Sequence, residues 1–223
     1  MKKYNLLVVA HPDDETIFFG GLLQVHRRRP WKVVCVTDGN ADGQGRKREN
    51  DFKQACGLLK VKTCEMWGFP DQFEKRLDLE RLEERLKAET PVEVFTHGIL
   101  GEYGHPHHQD VSLAVHRSFG AGVTVWSTAY NAFAEKVFRL PRRAYEKKCE
   151  ILSRIYFTET RRFAQWLPAH NFEGVVRARL SEVERLYDFL KGGEPPSAGQ
   201  LDVYRWFLPY LEDFRAQLGR RHF

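Results

Sequence analysis

The chain of 223 residues contains no long apolar run, which argues against a membrane-spanning helix. Such a helix needs roughly 20 consecutive apolar residues. The first apolar run covers only residues 6–10 before charged residues follow, which is also too short for a signal peptide. Hydrophobic residues nevertheless make up 42% of the chain, enough to bury a core. We therefore expect a globular cytoplasmic protein.

Cysteine is also scarce, with four residues and no C-x-x-C pair. This spacing offers neither a disulfide framework nor a thiolate zinc site, and it suits a reducing compartment. A phosphate-binding loop is missing as well. The glycine-containing stretch 38–45 has neither G-x-G-x-x-G nor G-K-[ST], so nucleotide binding has little support.

No basic stripe is present, although 35 Lys and Arg against 30 Asp and Glu give a formal charge of +5. Short basic clusters are scattered among acids, which favours solvated helix faces over a nucleic-acid surface. An anionic small substrate is a milder alternative.

What the first 130 residues do contain is an alternation of strand-like and helix-like patterns. The predicted strands are 5–10, 32–37, 62–67, 92–97 and 123–127. The predicted helices are 16–28, 46–59, 78–88 and 107–118. Strands that alternate with helices indicate βαβ units and hence an α/β fold, with a Rossmann-like, mostly parallel sheet flanked by helices.

After residue 130 the pattern becomes more helical. One further strand is expected over 134–140, then a helix after Pro141, another over 173–191, and a last helix rich in aromatic residues. The stretch GGEPPSAG at 192–199 predicts a loop. We expect one domain over 1–223, with a Rossmann-like core (1–130) and a mainly helical C-terminal section (131–223).

Three polar stretches directly follow predicted strands, at 11–15, 38–46 and 98–110. In open α/β sheets, ligands bind beyond the carboxyl ends of the strands. We therefore expect these stretches to meet at one edge of the sheet.

Histidine and carboxylate spacing in two of these stretches predicts a metal site. His11 and Asp14 lie three apart in a turn, and His105 and His108 have the same spacing at a helix start where Pro106 suits the first position. A catalytic zinc takes three protein ligands and keeps a position open. One of the later histidines would supply the third ligand. The donor set, without thiolate, suits a catalytic zinc.

Simpler interpretations exist for individual residues. The acids at 13–15 could complement the dipole of the following helix. His107 is expected on a loop or rim and Asp110 on a helix face, while His97, at a strand end, could support the site.

The motifs AHPDDE (10–15) and GHPHH (104–108) resemble those of the PIG-L/LmbE-type zinc-dependent de-N-acetylases. Two further stretches, GRKREND (45–51) and GFPD (68–71), resemble the family less specifically. The resemblance extends over roughly residues 4–110. It implies a hydrolase that removes an N-acetyl group from N-acetylglucosamine or a related amino sugar or glycoconjugate.

The resemblance also implies roles for single residues. His11, Asp14 and His108 would hold zinc or another divalent metal such as Fe²⁺. Asp13 would be the general base, and His105 would face the reacting carbonyl.

Substrate contacts are implied for Arg46 and Asp71, and Tyr103 is expected to line the site. Metal-activated water would attack the amide, releasing acetate and a free amine. Either Asp13 or His105 would protonate that amine. The partner is a small N-acetylated molecule, not a nucleic acid. The alternatives are a Rossmann-like metal-dependent nucleotide-sugar transferase and a metal- or glycan-binding module without turnover.

Overall fold

A computed structural model describes residues 3–72, 75–163 and 169–217 and shows an α/β fold. Seven strands form one sheet in the order β3-β2-β1-β4-β5-β7-β6. The first five strands are parallel, and β7 runs antiparallel to both β5 and β6. The strands are β1 (Asn5–Val9), β2 (Trp31–Thr37), β3 (Thr63–Phe69), β4 (Glu93–Thr96), β5 (Thr124–Thr128), β6 (Lys136–Arg139) and β7 (Phe172–Val176). The predicted mostly parallel sheet is confirmed.

Helices connect these strands and continue after them. The α-helices are α1 (Asp14–Val25), α2 (Gly45–Leu58), α3 (Leu79–Lys87), α4 (Pro106–Phe119), α5 (Arg142–Arg154), α6 (Phe157–Thr160), α7 (Leu180–Leu190) and α8 (Leu211–Gln217). Short 3₁₀ helices cover Arg161–Phe163 and Arg205–Tyr210. Among the described residues no helix has the length and apolar character needed to cross a bilayer.

The helix predicted over 173–191 is wrong in its first part. Residues Phe172–Val176 form β7, which pairs with β5 and β6, and α7 begins only at Leu180. Val175 and Val176 are buried at 1% and 3% exposure. Here the strand pairing available at the sheet edge overrides a local pattern that suits a helix. The C-terminal section therefore contributes strands to the sheet as well as helices.

The sheet separates two hydrophobic cores because successive side chains of a strand point to opposite faces. Leu7 and Val9 of β1 pack with residues of α1, α2 and α5. Leu6 and Val8 of the same strand pack with residues of α3 and α4. A third cluster joins α7 and the C-terminal segment to Leu113 of α4. Helix α4, which carries GHPHH at its start, is therefore packed on two sides.

The strand ends bring the predicted site together. Strands β1 and β4 are adjacent and parallel, with Leu7 opposite Phe95, so their carboxyl ends lie side by side. The backbone N–H of Ala10, just after β1, donates to Nε2 of His97, just after β4, at 3.0 Å. The turn 11–14 and the loop 97–105 consequently face each other at this edge.

Candidate metal centre and active site

The turn between β1 and α1 brings two of the predicted metal ligands together. The backbone N–H of His11 donates to Oδ2 of Asp14 at 2.7 Å. Asp13 lies between them with φ 121, a conformation that costs about 1–3 kcal/mol outside glycine and concentrates at functional sites. Glu15 Oε2 accepts the Asp13 N–H at 3.1 Å, so Glu15 helps to hold the turn.

Three ligand atoms form a nearly equilateral triangle. His11 Nδ1 lies 3.2 Å from His108 Nε2 and 3.4 Å from Asp14 Oδ2, and His108 Nε2 is 3.4 Å from the same oxygen. Atoms bound tetrahedrally to one zinc at about 2.0–2.1 Å lie about 3.3 Å apart. All three residues are buried. The structure thus brings together the three predicted ligands in a spacing that fits zinc.

Glu102 supports this triangle from behind and was not identified from the sequence. Its Oε2 is 2.6 Å from His108 Nδ1 and 3.1 Å from His97 Nδ1, and Oε1 accepts the Gly98 N–H at 2.8 Å. A carboxylate on the second ring nitrogen fixes the orientation of a histidine ligand. The only hint in the sequence was that a glutamate lies in the loop just before GHPHH. His97, stacked on His108 at 3.9 Å, also supports the site.

The pKa values of the two carboxylates of the turn are shifted in opposite directions. Burial alone would raise the pKa of Asp14, but His108 and His97 hold it well below its usual value. Burial raises the pKa of Asp13 well above its usual value, and the negative charge of Asp14 adds to this, whereas Arg48 opposes it. The structure therefore places a carboxylate suited to binding beside one suited to proton transfer.

His105 and Tyr103 lie beside the triangle, and the rings of both contact His108. The His105 ring stacks on His108 with centroids 4.8 Å apart and meets His11 edge-on at 4.4 Å. Its Nδ1 accepts the backbone N–H of His107 at 3.2 Å, so His105 also caps α4. Burial and the nearby histidines lower its pKa. Tyr103, half exposed, presents its ring edge-on to His108 at 5.4 Å.

A buried arginine that was not predicted joins the carboxylates of the site. Arg48 Nη2 lies 3.7 Å from Asp13 Oδ2 and donates to the Pro12 carbonyl at 3.0 Å. Its Nη1 lies 3.7 Å from Oδ2 of Asp71. The other oxygen of Asp71 is 3.6 Å from His11 Nε2. Asp71 is itself buried, and these contacts hold its carboxylate within the protein.

Arg46, the arginine chosen from the sequence, is not brought into this cluster. Its side chain is exposed and lines a shallow cavity of about 350 Å³ near the ends of β2 and β3. The helical period contained the better signal. Arg48 precedes the fully buried Phe52 by four residues, so the two share one face of α2. Arg46 precedes Phe52 by six residues and therefore lies on a different face.

One expectation about helix α4 was wrong, and a second residue of this helix is more buried than its type suggests. His107 is not on a rim: it is 1% exposed, with Nδ1 3.1 Å from His11 Nε2 and Nε2 2.8 Å from the Lys75 carbonyl. Asp110 lies on a face of α4 as expected, but that face is buried, and Asp110 accepts hydrogen bonds from the Leu77 backbone N–H and the Tyr187 hydroxyl. Charged and polar residues on this helix are buried because a loop and α7 cover both sides of it.

Comparison with known proteins agrees with this geometry. Residues 6–119 match the family PIG-L, described as GlcNAc-PI de-N-acetylase. The N-acetylglucosaminyl-phosphatidylinositol de-N-acetylase of Bos taurus is 33% identical over 124 residues, which cover 50% of this chain and 48% of the relative. This chain spans about half the length of the curated relatives it matches.

Solved structures share the fold at lower identity. The N,N'-diacetylchitobiose deacetylase from Pyrococcus horikoshii superposes with a TM-score of 0.64 at 17% identity, covering 80% of this chain and 84% of the other. The 4-carboxy-2-hydroxymuconate hydratase GalB from Pseudomonas putida gives a TM-score of 0.54 at 15% identity, covering 78% and 95%. At this identity the likeness shows the fold alone.

The family match extends over more than half of the chain and includes both histidine motifs, at 11–14 and 105–108. The chain therefore belongs to the PIG-L (GlcNAc-PI de-N-acetylase) family.

Proposed function

We propose that this protein is a zinc-dependent hydrolase that removes an N-acetyl group from an amino sugar or glycoconjugate. The observation that carries the proposal is the triangle of ligand atoms from His11, Asp14 and His108. Asp13 lies beside it, and its carboxylate faces Arg48 instead of forming part of the triangle. Membership of a de-N-acetylase family supports the same chemistry.

The donor set supports a catalytic metal. Two imidazole nitrogens and one carboxylate oxygen, with no thiolate, suit zinc in a site that keeps one position open, and Fe²⁺ accepts the same donors. When bound, zinc supplies Lewis acidity, which acidifies water and polarises a carbonyl.

Asp13 is proposed as the general base. It directly precedes the ligand Asp14, and the strained backbone at φ 121 holds it in the turn that carries both nearby ligands. Its carboxylate accepts a proton from the attacking water, whose oxygen bonds to the amide carbon. Arg48, 3.7 Å away, stabilises the charged form and orients the side chain.

His105 is proposed to face the reacting carbonyl. Its ring lies against both histidine ligands, where an N–H would stabilise the oxyanion that develops on the carbonyl oxygen. The C–N bond then breaks, and the amine leaves with a proton from Asp13 or from His105. The products are acetate and a free amine.

The proposed substrates are small N-acetylated glycosides. Curated relatives are named for N-acetylglucosaminyl-phosphatidylinositol, a 2-acetamido-2-deoxy-glucopyranoside of myo-inositol, and N-acetyl-glucosaminyl L-malate. We propose Tyr103 and Arg46 as contacts for the substrate beyond its acetamide. Asp71 is better placed to orient His11 and Arg48 than to contact a sugar. The four cysteines are free, which supports a cytoplasmic location.

The test is acetate release from a panel of N-acetylated glycosides, with the metal removed by a chelator and then restored. The panel contains N-acetylglucosamine, its α-linked inositol glycoside, its L-malate glycoside and N,N'-diacetylchitobiose. We expect Asp13→Asn to retain zinc and to lose about 10²–10⁴-fold in rate. Loss of activity without loss of zinc supports the assigned base. Full activity after chelation, or in Asp13→Asn, contradicts the proposal.

Two added measurements separate the alternatives: turnover of a nucleotide-sugar donor with an acceptor, and direct binding of zinc or glycan. A nucleotide-sugar transferase would show turnover only with a nucleotide-sugar donor and an acceptor, and a binding module would bind zinc or glycan without releasing acetate. Either result would replace the hydrolase assignment.

A further inference from the structure

We propose that His107 is a positioning residue that fixes the tautomer and orientation of the metal ligand His11. This inference rests on the proposed metal-dependent function, since it concerns the ligand's readiness for a metal. It gives a role to the second histidine of the HPHH motif, which the sequence pattern placed on a rim.

Two successive contacts link His11 through His107 to the backbone carbonyl of Lys75. His107 Nδ1 lies 3.1 Å from His11 Nε2, and His107 Nε2 lies 2.8 Å from the carbonyl oxygen of Lys75. Both rings are buried, at 7% exposure for His11 and 1% for His107, so water does not compete freely for these nitrogens.

The Lys75 carbonyl at the end of this series of hydrogen bonds decides which nitrogen of each ring carries the proton. A carbonyl oxygen only accepts, so the proton of His107 lies on Nε2. In a neutral imidazole the other nitrogen is then an acceptor, so His107 Nδ1 accepts from the Nε2–H of His11. That assignment leaves the lone pair of His11 on Nδ1. This is the nitrogen that lies 3.4 Å from Asp14 Oδ2 and 3.2 Å from His108 Nε2.

The two histidine ligands are thus oriented by different chemistry. His108 has the Glu102 carboxylate on its second nitrogen at 2.6 Å, whereas His11 has the imidazole of His107 at 3.1 Å. Asp71 Oδ1, at 3.6 Å from His11 Nε2 and 3.5 Å from His107 Nδ1, adds a negative charge beside that contact. This charge stabilises the positive charge that coordination places on the His11 ring.

A competing interpretation uses the same atoms as a second metal site, formed by His11 Nε2, Asp71 and His107. That site needs a lone pair on His11 Nε2, where the proposed assignment places a proton. The stoichiometry of zinc binding therefore discriminates between the two interpretations, with one ion per chain expected here and two for the alternative.

The experiment measures zinc affinity of the full chain by competition with a chromophoric chelator, independently of turnover. We expect His107→Leu to bind zinc about 10- to 100-fold more weakly, as for loss of a ligand's orienting partner. His107→Asn, whose Oδ1 can replace the acceptor Nδ1, should recover most of that affinity. His116→Leu, another buried histidine on α4, is the matched control and should bind zinc as the wild type does.

A second measurement does not depend on the variants folding. Long-range ¹H–¹⁵N spectra of the zinc-loaded wild type should show protonated Nε2 on both His11 and His107. A proton on Nδ1 of His107, two zinc ions per chain, or unchanged affinity in a folded His107→Leu overturns the inference while leaving the proposed function intact. A wild-type chain that binds no zinc overturns both.

Discussion

Glu102 and His108 are joined in the candidate metal centre by a contact of 2.6 Å between Oε2 and Nδ1. Glu102 adopts φ 55 and is 4% exposed, so the loop is folded to place this carboxylate behind the ligand. Gly101 allows that fold, because a Cβ there would lie 2.6 Å from the His105 carbonyl oxygen. The contact leaves Nε2 of His108 free of its proton and available to a metal.

Glu102→Gln should therefore weaken zinc binding by about 10- to 100-fold, because an amide is a poorer acceptor for two imidazole N–H groups. Chelator competition measures the change. Glu182→Gln is the matched control, since Glu182 is a fully buried acceptor of the backbone N–H groups of Asp202 and Tyr204 and contacts none of the three proposed ligands in the described hydrogen bonds. Equal affinities in the two variants would contradict the role of Glu102.

Arg48 and Arg46 lie two residues apart on α2, and replacing each by glutamine compares the effect of losing a buried charge with that of losing an exposed one. Arg48→Gln leaves Asp13 and Asp71 without their buried counter-ion, and we expect a loss of about 3–5 kcal/mol in stability together with a lower kcat. Arg46→Gln, at an exposed side chain, should change stability by less than about 0.5 kcal/mol. Urea unfolding and steady-state kinetics measure both.

The kinetics also test the proposed substrate contact of Arg46, since a raised KM at constant kcat in Arg46→Gln would support it. An Arg48→Gln variant as stable and active as Arg46→Gln would show that the buried guanidinium is dispensable.

The buried His116 should make the folded protein less stable in mild acid. It is 1% exposed, its Nδ1 donates to the Ser112 carbonyl at 2.7 Å, and burial lowers its pKa from 6.5 to about 4. The unfolded chain therefore binds more protons than the folded one between these values. The stabilisation is complete above pH 6.5 and declines as pH falls towards 4.

For a histidine with these two pKa values, the loss between pH 7.5 and pH 5 is about 2 kcal/mol. His116→Gln should lose less stability over that interval than the wild type, as measured by denaturant unfolding at both pH values. His170→Gln, at an exposed histidine, is the control and should keep the wild-type dependence. A pH dependence unchanged in His116→Gln would rule out this histidine as its source.

A buried ion pair connects α5 and β7 to the helix that begins at Asp14. Lys148 Nζ donates to Glu173 Oε1 at 2.7 Å, and the Glu173 carboxylate also accepts the backbone N–H groups of Gly21 and Leu22. Lys148→Met leaves that carboxylate uncompensated and should cost about 3–5 kcal/mol.

The double variant Lys148→Met/Glu173→Gln should recover part of this loss, because the charge is then gone while the amide oxygen still accepts. Thermal unfolding of the two variants measures the recovery, with Lys147→Met, on the more exposed face of α5, as the control. A double variant less stable than Lys148→Met would mean that the Glu173 charge itself is needed.

Much of the site was predictable because its ligands lie in short motifs at strand ends. The alternation of strands and helices predicted that the turn 11–14 and the helix start 105–108 meet. The partners of the ligands were harder to predict, because Glu102 and His107 act through particular ring nitrogens that depend on loop geometry. Arg48 could have been found from its phase with Phe52. Strand β7 could not be predicted in this way, because its residues form a strand only where β5 and β6 offer hydrogen-bonding partners.

With Asp13 as the proposed general base, its strained backbone makes catalysis depend on local stability. The conformation at φ 121 is held by neighbouring hydrogen bonds, from His11 to Asp14 and from Asp13 to Glu15. Once these bonds loosen, we expect the backbone to relax and the carboxylate to turn away from the proposed ligands. Activity should therefore disappear at urea concentrations that leave tryptophan fluorescence and circular dichroism unchanged. The enzyme would inactivate before it unfolds.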